Sequence, residues 1–133
     1  MRIEIIPCLK DNYSYLIIDE LNNAACVIDP SEAEPVINFI EKENITLKYI
    51  LNTHHHFDHI GGNMGLKNKY NSIVVGYKYD ANRIPEIEVL VEDGQIWKAD
   101  NFEAKIIHVP GHTTGHISSV SYTHLTLPTK REV

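Results

Sequence analysis

The chain has 133 residues, a net charge of −6 and 43% hydrophobic content, enough for one globular domain with a core and too apolar for a disordered chain. Its twelve Lys and Arg are scattered and form no basic stripe, which argues against nucleic acid as a partner. Two cysteines make no disulfide framework, Met1–Pro7 opens no apolar signal core, and no run approaches a membrane span. The expected setting is the reducing cytoplasm, with no membrane partner.

Residues 2–6, 14–18 and 24–28 are short β-rich runs separated by the turn formers Asp11-Asn12 and Asn22-Asn23. They read as a meander opening a sheet. Asp29-Pro30 ends the third strand, and Asp29 is read as a turn former rather than a side chain that orients a ligand histidine. A helix is expected from 32–34, with Pro35 in its first turn, where a missing N–H costs little. Val36, Ile37 and Ile40 supply its apolar face, and it fades by Asn44. Leu47–Leu51 is a buried strand. A helical stretch follows to about Tyr70, then strands at 72–77, 88–91 and 102–109, with a turn at Glu92-Asp93-Gly94-Gln95.

Directly after the strand at 47–51 comes Thr-His-His-His-Phe-Asp-His at 53–59. His54, His56, Asp58 and His59 form the pattern His-x-His-x-Asp-His. Neutral imidazole and carboxylate are the ligands that zinc-type ions take. His54 and His56, two apart, point the same way on extended chain and can grip one ion. Asp58 and His59, adjacent, suit a second ion beside it. His55 turns away and is not a candidate. Gly61-Gly62 would let backbone approach the metals closely.

Residues 108–116 read His-Val-Pro-Gly-His-Thr-Thr-Gly-His. Pro110-Gly111 imposes a turn that presents His112. His112 is the natural third imidazole for the ion of His54 and His56, which leaves an open position for water. His108 and His116 are read as supporting residues. Asp58 is also the candidate catalytic residue. No separate cofactor-binding residues stand out.

These segments resemble the metallo-β-lactamase superfamily and, within it, the glyoxalase II (hydroxyacylglutathione hydrolase) branch. The resemblance rests on Asp11-Asn12-Tyr13, Val27-Ile28-Asp29-Pro30, Thr53 through Gly62 and Val109 through His116. It implies an α/β fold, the αββα sandwich, of which this chain carries the first half. Residues 1–119 are expected to form a partial domain whose inner sheet face lacks a partner. It also implies a site of two zinc ions, with iron or manganese as alternatives. The first ion falls to His54, His56 and His112, and Asp58 and His59 match two ligands of the second. The implied substrate is a glutathione-derived thioester such as S-lactoylglutathione.

From Val120 the resemblance stops. Residues 120–133 contain no metal-ligand grouping, and His124 is too close to His112 to match a late ligand. They are read as an artefactual tail, and the shortened site is expected to hydrolyse poorly. The alternatives are a mononuclear iron enzyme of persulfide dioxygenase type, a nuclease (disfavoured by the acidic charge) and a non-catalytic metal-binding fragment.

Overall fold

A computed structural model describes residues 2–8, 12–53, 61–108, 117–121 and 125–126. Strands β1 (Arg2–Cys8), β2 (Asn12–Asp19) and β3 (Ala24–Ile28) form the expected antiparallel meander. Helix α1 (Ala33–Glu43) then crosses to β4 (Thr46–Asn52), which lies parallel to β3. Helix α2 (Asn63–Tyr70) leads to β5 (Ile73–Tyr77), and β6 (Ile87–Val91) completes a six-stranded mixed sheet in the order β1-β2-β3-β4-β5-β6.

Both helices stop on a left-handed asparagine, Asn44 at φ 58° and Asn71 at φ 57°. Asparagine tolerates that backbone better than most residues. The helices cover one face of the sheet. Val36, Ile40 and Leu66 join Leu16, Ile18, Ala25, Val27, Leu47, Ile50 and Val74 in that core, with Cys8 at its margin. Alternation along β2 and β3 sends Tyr15, Ile17, Ala24, Cys26 and Ile28 to the other face. In β4 the alternation breaks. Ala25 pairs with Leu47 but Cys26 pairs with Tyr49, so Lys48 is an extra residue. That irregularity lets Leu47 and Ile50 share a face despite their odd spacing.

The inner face is not left open. A second sheet, in the order β10-β9-β8-β7, is built from β7 (Ile96–Ala99), β8 (Phe102–His108), β9 (Ile117–Ser121) and β10 (Leu125–Thr126). Trp97, Phe102, Ala104 and Ile106 pack in one buried cluster with the inner-face residues of the first sheet. Tyr49 meets Trp97 and Phe102 edge-on, with centroids 5.3 and 5.9 Å apart. The expectation of an unpartnered inner face is thus corrected: the strands from 96 onward supply the cover. The described residues make three layers, helices on sheet on sheet. The second sheet draws its backbone pairing from beyond Ser119: Val120 pairs with Lys105, and Ser121 pairs with Ala104 and Leu125.

Candidate functional site

Strands β3 and β4 are parallel, so their carboxyl ends lie at one edge of the sheet, where ligands bind in folds with parallel strands. His54, His56, Asp58 and His59 follow the end of β4 directly, and His112 falls between β8 and β9. All five lie outside the described residues. Among the described residues no group of three or more metal-ligating side chains occurs. What the structure shows is the framework on either side of segment 54–60.

The first part of that framework is Asp29. Its backbone is left-handed, φ 52°, which suits the turn expected there. Its side chain does more than the turn requires. Asp29 is buried, and its Oδ1 accepts the Thr53 N–H at 2.7 Å, while the Thr53 hydroxyl donates to Oδ2. The Asp29 N–H donates to the Leu51 carbonyl at 3.0 Å, and its own carbonyl accepts the Ser14 hydroxyl at 2.9 Å. Three of these bonds lock the end of β3 to the end of β4, one residue before His54, and the fourth ties it to β2. A buried carboxylate costs free energy unless it is well bonded, and these donors offset that cost. Burial, and then the Asp29 charge, raise the pKa of the neighbouring Tyr15 phenol. The turn reading of Asp29 was therefore incomplete.

The second part was not read from the sequence. Asn52 and Asn63, both fully buried, exchange side-chain hydrogen bonds. Asn63 Nδ2 donates to Asn52 Oδ1 at 2.6 Å, and Asn52 Nδ2 donates to Asn63 Oδ1 at 3.3 Å. They stand on opposite sides of the His-rich run, and that placement was the available signal.

Gly62 supplies the third part. Its N–H donates to the Pro30 carbonyl at 2.7 Å. A Cβ there would lie 2.6 Å from the Glu32 carbonyl carbon and 2.8 Å from the Ala33 nitrogen. Among the described residues, the close approach that requires glycine at 62 is to the start of α1. Gly65 is similarly tight, with an added Cβ 2.8 Å from that of Ala33.

The direction of β8 bears on His112. The β7–β8 turn sits at the amino-terminal edge of β3 and β4. There Asn101 donates to Asp19 at 2.8 Å, and the Tyr49 hydroxyl donates to Asp100 at 2.6 Å. From that turn β8 runs seven residues, roughly 20 Å at the usual rise. Stacked sheets keep their strands roughly aligned, so β8 heads for the edge at which β4 ends.

Comparisons with known proteins agree with this architecture. The family model for the metallo-beta-lactamase superfamily matches residues 10–125. A hydroxyacylglutathione hydrolase of Pelagibacter ubique is 64% identical over 122 residues, covering 92% of this chain and 51% of that protein. One from Rhodopseudomonas palustris is 47% identical over 119 residues, covering 89% of this chain and 46% of that protein. The chain thus spans about half the length of the curated relatives it matches. Among solved structures, ETHE1 from Myxococcus xanthus superposes with a TM-score of 0.76 at 28% identity, covering 91% of this chain and 54% of that one. The BLEG-1 B3 metallo-beta-lactamase superposes at 0.83 with 22% identity, covering 92% and 68%, a likeness of fold alone. A helix-covered mixed sheet, a second sheet on its inner face, a His-rich sequence directly after β4 and a family match across nearly the whole length converge: the chain belongs to the metallo-β-lactamase superfamily.

Proposed function

We propose that this protein is a metal-dependent thioester hydrolase of the hydroxyacylglutathione hydrolase type, acting on S-lactoylglutathione or a similar hydroxyacyl thioester of glutathione. One observation carries the reading. The superfamily match at 10–125 spans every candidate ligand, and a relative 64% identical bears that enzyme's name. Superfamily membership implies metal binding. The donor set fits a zinc-type ion, because His54, His56 and His112 offer three imidazoles and leave a coordination position open. Asp58 and His59 would contribute to a second ion, and the same donors accept iron or manganese.

When bound, the metal supplies a water of lowered pKa and positive charge for a developing oxyanion. The chain's own part is to place the donors. The Asp29–Thr53 bonds fix the backbone leading into His54. The Asp58 carboxylate, the candidate catalytic group, can accept a hydrogen bond from the attacking water and so orient it. The leaving thiolate is stable near neutral pH, so a strong general acid is not required.

On the same reading, a tail of separate origin follows the family-like portion, with the change of composition placing its start near 120 and the family match running to 125. The DNA sequence beyond the Ser119 codon decides the point. The test of function uses the 133-residue chain, metal analysis and an S-lactoylglutathione assay. About one zinc-type ion per chain is expected, because Asp58 and His59 alone hold a second ion weakly, and hydrolysis should be slow but metal-dependent. A metal-loaded chain that consumes oxygen with a glutathione persulfide and leaves thioesters intact would overturn the hydrolase reading.

A further inference from the structure

We infer that Asn52 and Asn63 are positioning residues that hold the two ends of the 54–60 segment at a fixed separation before any metal arrives. This inference rests on the proposed reading of that segment as metal-binding. The two residues are 11 apart in sequence, yet their amides are joined by two reciprocal hydrogen bonds. One terminates β4 and the other opens α2. Both are sealed from water, with 0% and 1% exposure. A purely structural contact at this depth would be made as well by two apolar side chains, without the cost of burying two amides.

What the amide pair adds is direction. It fixes the distance and the orientation of the two chain ends together, as two apolar side chains in contact do not. Closing a loop costs entropy. A staple that closes this one during folding removes that cost from metal binding. The Gly62–Pro30 bond and the tight seat of Gly62 on α1 brace the same end independently.

The test compares zinc affinity, by competition with a chromophoric chelator, with the melting temperature of the metal-free chain. The variants are Asn63→Ala, the milder Asn63→Ser, Asn52→Ala and the Asn52→Ala/Asn63→Ala double. Ser72→Ala is the control. Ser72 is equally buried and bonds the Leu47 carbonyl at 2.8 Å, near the other end of β4. Asn63→Ala should weaken zinc binding roughly 10- to 100-fold, the range for residues that orient metal ligands. The double variant should lose no more affinity than the worse single one. Ser72→Ala should lower the melting temperature and leave zinc affinity within about twofold.

Should Asn63→Ala not fold, Asn63→Ser decides. Unchanged zinc affinity in whichever Asn63 variant folds, or an equal loss in Ser72→Ala, overturns the staple and leaves the hydrolase reading standing. A wild-type chain that binds no zinc overturns both.

Discussion

The two ends of β4 are held in different ways. At its carboxyl end the contacts are buried: the Asp29 carboxylate on Thr53, the Asn52–Asn63 amide pair and Gly62 against the α1 backbone. Near its amino end one buried bond, from Ser72 to the Leu47 carbonyl, is joined by charged contacts that are wet. Lys48 and Asp100 lie 3.5 Å apart, each about half exposed, and the Tyr49 hydroxyl reaches Asp100 at the surface. Exposed ion pairs tolerate drift, because water replaces them at little cost. Buried hydrogen bonds do not, because a lost partner leaves a desolvated group unsatisfied. The buried carboxylate and the buried amide pair both stand where the His-rich segment leaves the sheet.

The sharpest way to break that contrast is at the segment itself. His56→Ala should abolish tight zinc binding and metal-dependent hydrolysis while leaving the metal-free circular dichroism spectrum unchanged. Loss of the fold would show that this histidine belongs to the core.

Gly62→Ala should be the largest effect on stability at the braced end. The added methyl meets backbone at 2.6–2.8 Å, and overpacking of this kind costs about 1–3 kcal/mol. Urea melts would show it as a lower midpoint at constant slope.

Asp29→Asn keeps the shape but removes the charge from the bond to Thr53. Charge-assisted bonds contribute about 1.5–3 kcal/mol, so a loss of about 1 kcal/mol is expected, together with weaker zinc binding. Full zinc affinity would detach Asp29 from the site.

The smallest effect belongs to the wet edge and to alkali. Burial pushes the Cys26 thiol up to about 12 from an ordinary 9.0. Burial, and then the bond to Asp100, push Tyr49 up to about 12 from 10.0. Both groups hold their protons more tightly when folded. Their contribution is therefore complete below about pH 9 and is lost as pH rises toward 12. Tyr49→Phe should flatten the part of that decline above pH 10 and change neutral stability little.

Much of this fold was legible because β-branched runs and their turn residues announce themselves. The β2–β3 hairpin, α1 with Pro35 in its first turn and the strand before the histidines fall where patterning put them. Strand β7 was missed because Ile96–Ala99 is only four residues long, wedged between two turns. Without it the inner face looked uncovered. Asp29 shows a different limit. A left-handed Asp before proline satisfies the turn reading completely, and the partner of its carboxylate lies 24 residues away. Asn63 drew no reading, since nothing local marks a side chain whose partner lies 11 residues away across a loop.

The two cysteines, finally, amount to a pair of built-in reporters. Cys8 packs on the helix-covered side of the main sheet and Cys26 between the two sheets, and both are free and buried. A thiol that deep reacts with an alkylating reagent only when its surroundings open. Mass spectrometry of peptides labelled over time would therefore clock the breathing of each side separately, in the unmodified chain and without a probe attached.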